Sequence, residues 1–444
     1  MNRQSGMTMI ELMVSLAIVM LIIAAATMAY LKLLRTYRTQ GRLAESYMAN
    51  LTGLELLRYD IEMAGFGLPA NMNGVNYTEA TAGPGNTAAS PYNPALLNDS
   101  TNNANGNNDV PRAFAHMDSP PFPVANYAAS DVLSIKSSAA NINPASKKWS
   151  MITNVNASKP IVKCWGGANL DPVMDFTNTP TYSPNPDTFI ALDNNGNLLN
   201  NTGVWLNSFN GSSPSQGFYK NASSITGCNS STSPNGGQVY YIYGLDNNTG
   251  AHIMPFNRVD YYLASNPNAP SSCAPYTLSL YRSTLIQTGP NAGTFNATPV
   301  IDCVRDFQVA FGILPDPTGY GNTPGISVQW QTNLLQNTIY AAGIGGTVNN
   351  AQMTAAQIQE FLREVRVFVL YSEGLGDTSA SPSGSINPNS NFRFAGTLTL
   401  GDTDTGQLST PFTPTGAQQQ YRWKVIEIAV KPNNLLNLPG GTLR

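Results

Sequence analysis

The sequence predicts an α+β fold in which one long N-terminal helix packs on an antiparallel β-sheet head, and three observations predict it. No proline interrupts residues 7–68, and the first part of that run is apolar on every side. The second part keeps apolar residues at spacings of three and four, the period of one helix face. Beyond residue 130 come short β-type runs separated by stretches rich in Asn, Ser, Gly and Pro.

The helix is expected from Met7 to about Ala64. The run from Leu12 to Leu31 contains no charged residue, and about twenty apolar residues are enough to cross a bilayer. Past Lys32, the residues Leu43, Tyr47, Leu51, Leu54, Leu57 and Ile61 form one stripe, while Arg42, Glu45 and Asp60 fall away from it. Gly65, Gly67 and Pro69 provide the stop. The chain therefore divides into a leader (1–6), a membrane or filament-core half-helix (7–30), an amphipathic half-helix (31–65) and a β-rich globular head with long Asn/Gly/Pro-rich loop insertions (66–444).

Within the head, residues Pro69 to Ser130 show little periodicity and read as a long surface loop, as do 207–237 and 379–391. Strands are expected at 131–136, 239–243, 259–263, 276–282, 300–313, 326–331, 365–371 and 423–430. In the fourth, Leu278 and Leu280 alternate with Thr277, Ser279 and Tyr281, the pattern of a half-buried antiparallel strand. Thr354 with Gln357 makes a capping box for a short helix through about Leu362.

Composition narrows the class. Only 11% of the 444 residues are charged, which suits an extracytoplasmic β-rich protein better than a cytosolic enzyme. The net charge of −3 gives no argument for nucleic acid as a partner. Cys164, Cys228, Cys273 and Cys303 form no CxxC pair and lie at no metal-ligand spacing from His116 or His252. Disulfides in an oxidising compartment are the reading, with buried free thiols as the alternative. Four cysteines allow three connectivities. Pairing sequence neighbours gives Cys164–Cys228 and Cys273–Cys303, each contributing about 3–4 kcal/mol on the loop-entropy account.

The sharpest motif is at the start. A basic leader ends in Gly6, the apolar helix follows at Met7, and a single acid, Glu11, lies inside it. A carboxylate at membrane depth costs roughly 2.5–3.5 kcal/mol on insertion scales, so Glu11 needs a partner. A plain membrane anchor has no use for either residue. The stretch Gly6|Met7-Thr8-Met9-Ile10-Glu11-Leu12-Met13-Val14-Ser15-Leu16-Ala17-Ile18 resembles the processing site of the type IV pilin and pseudopilin family, G|FTLIELMVSLAI. Met7 and Met9 depart from the family's usual Phe and Leu, apolar for apolar.

Further segments resemble PilW-like minor pilins in order. They are Arg58-Tyr59-Asp60-Ile61-Glu62-Met63-Ala64-Gly65-Phe66-Gly67 at the helix end, Asp131-Val132-Leu133, Tyr261-Tyr262 with Leu280-Tyr281-Arg282, and Val304 to Val309 with Phe311-Gly312. Val365-Arg366-Val367 and the stretch from Tyr421-Arg422 to Leu438 complete the series.

The resemblance implies cleavage between Gly6 and Met7 by a prepilin peptidase and N-methylation of Met7. It implies that Glu11 sets axial register by pairing with a neighbouring subunit's N-terminus. The partners it implies are other minor pilins, the major pilin, a tip adhesin and, before assembly, the inner membrane, with the head in the periplasm. The function expected is priming of pilus assembly or residence at the tip, without cofactor or metal. A type II secretion pseudopilin and a surface-binding adhesin are the alternatives.

One rule points the other way. Lys32, Arg35, Arg38 and Arg42 follow the apolar run against Arg3 before it, which by charge alone places the head in the cytoplasm. The cysteines and polar loops argue for export. Arg35, Arg38 and Arg42, three and four apart, also form a basic patch for lipid headgroups, a neighbouring subunit's acids or DNA passing along a filament, with a solvated or headgroup-facing patch the preferred reading.

No enzyme constellation is legible: neither histidine adjoins a nucleophile motif. Gly343, Gly345 and Gly346 lack a dinucleotide fingerprint. Asp193-Asn195-Asn197 and Asp402-Asp404 place oxygens at alternate positions without the rest of a calcium loop.

Overall fold

The computed structural model describes residues 8–81, 92–99, 110–118, 129–153, 161–162, 187–200, 203–208, 239–248, 250–314, 328–334, 352–373, 396–400 and 410–436. Helix α1 runs unbroken over Met9–Glu62, 54 residues and so about 80 Å of axis. It ends where the sequence places its stop, with Gly65 and Gly67 both at positive φ.

Eight antiparallel strands make the principal sheet. These are β1 (Phe114–Met117), β2 (Val132–Ser137), β8 (Asn257–Ala264), β9 (Leu278–Leu285), β10 (Phe295–Ile313), β12 (Leu362–Glu373) and β15 (Arg422–Val430) in spatial order, with β11 (Gln329–Gln331) paired to β10. A second sheet orders β4 (Ile161–Val162), β3 (Trp149–Thr153), β7 (Tyr240–Asp246), β5 (Thr188–Leu192) and β6 (Asn207–Ser208). A hairpin pairs β13 (Leu398–Leu400) with β14 (Thr410–Phe412). Helix α2 (Ala355–Phe361) carries the expected box: Thr354 caps Gln357 and leads the chain directly into β12. Helix α3 (Asn433–Leu436) closes the described chain.

The class is thus α+β, and the long strands fall where β-branched and aromatic alternation puts them. The one expected at 276–282 differs in kind. Both faces of β9 are buried, Ser279 and Tyr281 included, so it is not half-buried. The reason lies in the stretch from Pro69 to Ser130, read from sequence as surface loop. Met72, Val75, Tyr77 and Ala80 join the main core, and Tyr92 and Leu97 pack with Ala115, Val132, Tyr262 and Tyr281 on the sheet face away from α1. Polar side chains on that face, which solvent would otherwise meet, are enclosed.

Three bases and three acids meet there at side-chain exposures of 0–1%. Lys136 Nζ donates to Asp99 (2.6 Å) and to the Leu97 carbonyl (3.0 Å) and lies 2.8 Å from Glu79. Arg258 donates to Asp260, Glu79, Asn98 and the Pro94 carbonyl, while Arg112 donates to Asp99 and Gln352. Burial opposes charge on Asp99, yet Lys136 and Arg112 beside it hold its carboxyl below the ordinary carboxylate range.

Candidate functional site

At its N-terminus, α1 is capped by its own sequence. Thr8 Oγ1 accepts from the Glu11 amide at 3.4 Å, and Glu11 Oε2 accepts from the Thr8 amide at 3.0 Å and from its hydroxyl at 3.1 Å. This capping box places the Glu11 carboxylate at the positive end of the helix dipole, where negative charge is stabilised. Thr8 was not singled out from sequence, although the Thr-x-x-Glu spacing is the signal that finds it. Gly6 and Met7 lie outside the described residues.

The next stretch, Met9–Leu34, is long and apolar enough to cross a membrane, and none of it is buried within the chain. Its few hydroxyls are turned back on the helix: Ser15 donates to the Leu12 carbonyl at 2.9 Å and Thr27 to that of Ile23 at 2.7 Å. Such back-bonding is what a polar side chain needs where no water is at hand. Arg35, Arg38 and Arg42 occupy helical positions just beyond, but their side chains lie outside what is described, as do those of Leu43 and Tyr47.

The head begins to cover α1 near Asn50. Leu54, Leu57 and Ile61 are buried in the main core as the stripe predicts, whereas Leu51 remains 44% exposed. Gly53 sits where α1 crosses β10, and a Cβ built there overlaps the Val300 carbonyl oxygen. About two turns further on, Asp60 departs from its expected place off the stripe. It is 2% exposed and accepts from Arg282 Nε at 2.6 Å, Arg282 Nη2 at 3.2 Å and the Tyr261 hydroxyl at 2.6 Å. Burial and the Asp60 charge push the Tyr261 phenol well above its ordinary range, which keeps it a donor. A carboxylate with this paired, bidentate partner can be buried on an otherwise apolar face. The joint is closed by Asn434, which donates to the Glu62 carbonyl at 3.0 Å, and by the Gly65 amide donating to the Lys136 carbonyl at 3.0 Å.

Of the cysteines, Cys273 and Cys303 form a disulfide with Cα atoms 4.8 Å apart, the pairing expected. Cys164 and Cys228 lie outside the described residues, as do Gly343–Gly346, Asp402 and Asp404. Asp193 accepts the amides of Asn195 and Asn197 and the Asn197 side chain, so it serves as the acceptor of an Asx-type turn.

Each histidine has an acidic neighbour. His252 has Nε2 2.8 Å from Asp246 and Nδ1 2.9 Å from the Gly250 carbonyl, holding the turn after β7. His116 is buried against Phe311 with Nε2 3.2 Å from Asp131. Among the described residues no three His, Cys, Asp or Glu side chains converge to hold a metal ion.

The geometry is that of a helix with two tasks. One half is bare, apolar and self-capped. The other is fastened to a disulfide-bearing head by close packing and, among the described residues, one buried ion pair.

Comparison with known proteins bears on the first half. No curated protein matches the chain. Among solved structures it is similar to a type IV-like pilin from Thermus thermophilus, with 14% identity over 41% of this chain and 70% of that one, at a TM-score of 0.19. Residues 1–27 match the prokaryotic N-terminal methylation motif, and it is this start of α1 that the comparisons identify.

Proposed function

We propose that this protein is a filament subunit of the type IV pilin class and, within it, a minor pilin that primes assembly or sits at the tip. The observation that carries the reading is the union of two features in one helix. A methylation motif occupies residues 1–27, and it leads into a 26-residue apolar stretch with no cover from the chain's own head. Lipid covers such a surface before assembly, and like helices cover it afterwards.

In this reading a prepilin peptidase cuts between Gly6 and Met7, and the new Met7 amine is methylated. Glu11, already held by Thr8, pairs with the amine of a neighbouring subunit and sets axial register, which offsets the cost of a buried carboxylate. The Cys273–Cys303 disulfide supports a head on the oxidising side of the membrane, against the charge asymmetry around the apolar run. A head of this size favours a tip position, since it would crowd a regularly repeating shaft. The chemistry found in the described residues is that of packing and ion pairing, which supports a structural subunit.

Two variants test the reading in the native host. Gly6→Val is expected to accumulate as a slower-migrating precursor. Glu11→Ala is expected to insert in the membrane and fold, yet to be missing from sheared filaments. Normal processing of the first variant would remove the peptidase assignment, and normal incorporation of the second would remove the register argument.

A further inference from the structure

Within the enclosed charges on the sheet face away from α1, one arrangement goes beyond what packing requires. Lys136 on β2 presses its ammonium against two carboxylates at once, 2.6 Å from Asp99 Oδ2 and 2.8 Å from Glu79 Oε2, and all three side chains are 0% exposed. The two acids are fixed to one another, because Glu79 Oε1 accepts the Asp99 amide at 2.5 Å. The second Asp99 oxygen, Oδ1, accepts from Arg112 Nε at 2.5 Å, and the Arg112 amide donates to Oδ2 at 2.8 Å. Around Lys136 Nζ stand also the Leu97 carbonyl at 3.0 Å and the buried Phe256 ring, its centroid 5.9 Å away.

An amine and a carboxyl group held in contact away from water are the two reactants of an amide bond. Fixed orientation of this kind corresponds to an effective concentration of about 10⁵–10⁸ M, which offsets the tendency of water to keep the two groups apart. The charges permit the change as well. Loss of one cation and one anion leaves Arg112 and Arg258 with Glu79 and Asp260, so the net charge of the enclosed cluster stays at zero. Arg112 keeps an acceptor, the amide oxygen, and the desolvation of one buried ion pair is relieved.

We propose that Lys136 and Asp99 condense to an intramolecular isopeptide bond, with Glu79 carrying the proton and Arg112 steadying the carbonyl oxygen. Glu79 Oε2 takes a proton from the Lys136 ammonium, and the amine, turned about its Cε–Nζ bond, attacks Asp99 Cγ. Charge gathers on Oδ1 against Arg112 Nε, which is already aimed at it. The nitrogen gives up a second proton, and Oδ2 departs with both as water. A C–N bond thus replaces a C–O bond; of the three ammonium hydrogens one stays on the amide nitrogen and two leave in the water, and nothing is oxidised or reduced. The product fastens the chain at Asp99 to β2 covalently, across 37 residues of sequence. Chains that have not condensed keep the ion pair, and with it the acid response of the Asp99 carboxyl.

Peptide mass spectrometry of the full chain, purified in detergent and reduced at its disulfides, reads the bond directly. Trypsin should fail to cut after Lys136, and fragment ions should place on its Nζ a branch that ends at Asp99 and is lighter than the free residues by one water. A succinimide at Asp99 also loses one water, but it leaves Lys136 open to trypsin. Glu79→Gln keeps the shape and cannot carry the proton, so linking should slow about a hundredfold and Lys136 should be cut. Lys136→Met should show no branch. Wild-type protein cut after Lys136 as readily as after Lys147 would overturn the bond, and a folded Glu79→Gln protein linked as fully as wild type would overturn the part given to Glu79. If the variants do not fold, the wild-type digest decides alone.

Discussion

Asp60 on α1 and Arg282 on β9, 222 residues apart in sequence, share two hydrogen bonds inside the core, with the Tyr261 hydroxyl as a third donor to the same carboxylate. Among the described residues it is the buried charged contact that ties the helix to the sheet. Removing one member leaves the other charged and desolvated, so Arg282→Ala or Asp60→Asn should cost about 3–5 kcal/mol. The double replacement Asp60→Leu/Arg282→Met should recover much of that loss, because it removes both charges and keeps the volume. Thermal unfolding of the full chain in detergent measures all three.

The crossing at Gly53 gives a sharper steric test. A side chain there meets the Val300 carbonyl, which is backbone and cannot turn away, so α1 must move off β10. Gly53→Val should destabilise by about 1–3 kcal/mol, the usual range for forcing atoms into a packed contact. Gly41, where an added Cβ meets nothing within 4 Å, is the control. Gly41→Ala should stabilise α1 by about 0.5–1 kcal/mol through helix propensity alone.

Much of this joint was legible in the sequence without its contacts being so. Asp60, Tyr261 and Arg282 each fall in a segment that the sequence singles out, but singling out segments one by one does not say that the three meet. Helical spacing put Asp60 off the apolar stripe, since periodicity counts side chains as apolar or polar and a paired carboxylate behaves as neither. The same limit explains why Met72, Val75, Tyr77, Ala80, Tyr92 and Leu97, expected in a surface loop, lie in the core. Arg258 and Asp260 alternate with Val259 and Tyr261 as on a half-exposed strand, and only the long-range cover of Tyr92 and Leu97 shows that both faces are buried. The Thr354 box and the Gly65 and Gly67 stop were readable because they are local.

The enclosed charges on that second face should behave unlike the surface pairs of α1. Lys136→Met leaves Asp99 and Glu79 short of a cation in the interior and should cost about 3–5 kcal/mol. Arg58→Ala, which breaks contacts to Glu55 and Glu62 on the exposed side of the helix, should cost no more than about 0.5 kcal/mol. The network also sets an acid limit. The Asp99 carboxyl is held below its ordinary value, so the stability it contributes is present above the unfolded value near 3.9 and is lost as pH falls through the folded one. Asp246, where burial is outweighed by His252 and the Asn248 amide, acts with the same sign. Unfolding followed from pH 6 down to pH 2 should show that loss, and Asp99→Asn should flatten the curve below pH 4 while lowering stability at pH 6.

The last prediction concerns Thr8, whose hydroxyl and amide both reach Glu11. If Glu11 must pass from the bilayer into a filament while keeping its charge, a fixed partner within its own helix lowers the cost at every stage, and Thr8 supplies it. Thr8→Val keeps the shape and removes the hydroxyl, and with it the acceptor for the Glu11 amide; loss of an N-cap of this kind costs about 1 kcal/mol. Thr8→Ser restores the hydroxyl. Cleavage after Gly6 should proceed in both variants, since neither alters the glycine. Incorporation into sheared filaments, measured by immunoblot against membrane-bound protein, should fall severalfold in Thr8→Val and return in Thr8→Ser. Equal incorporation of Thr8→Val and wild type would show that Glu11 needs only its neighbour.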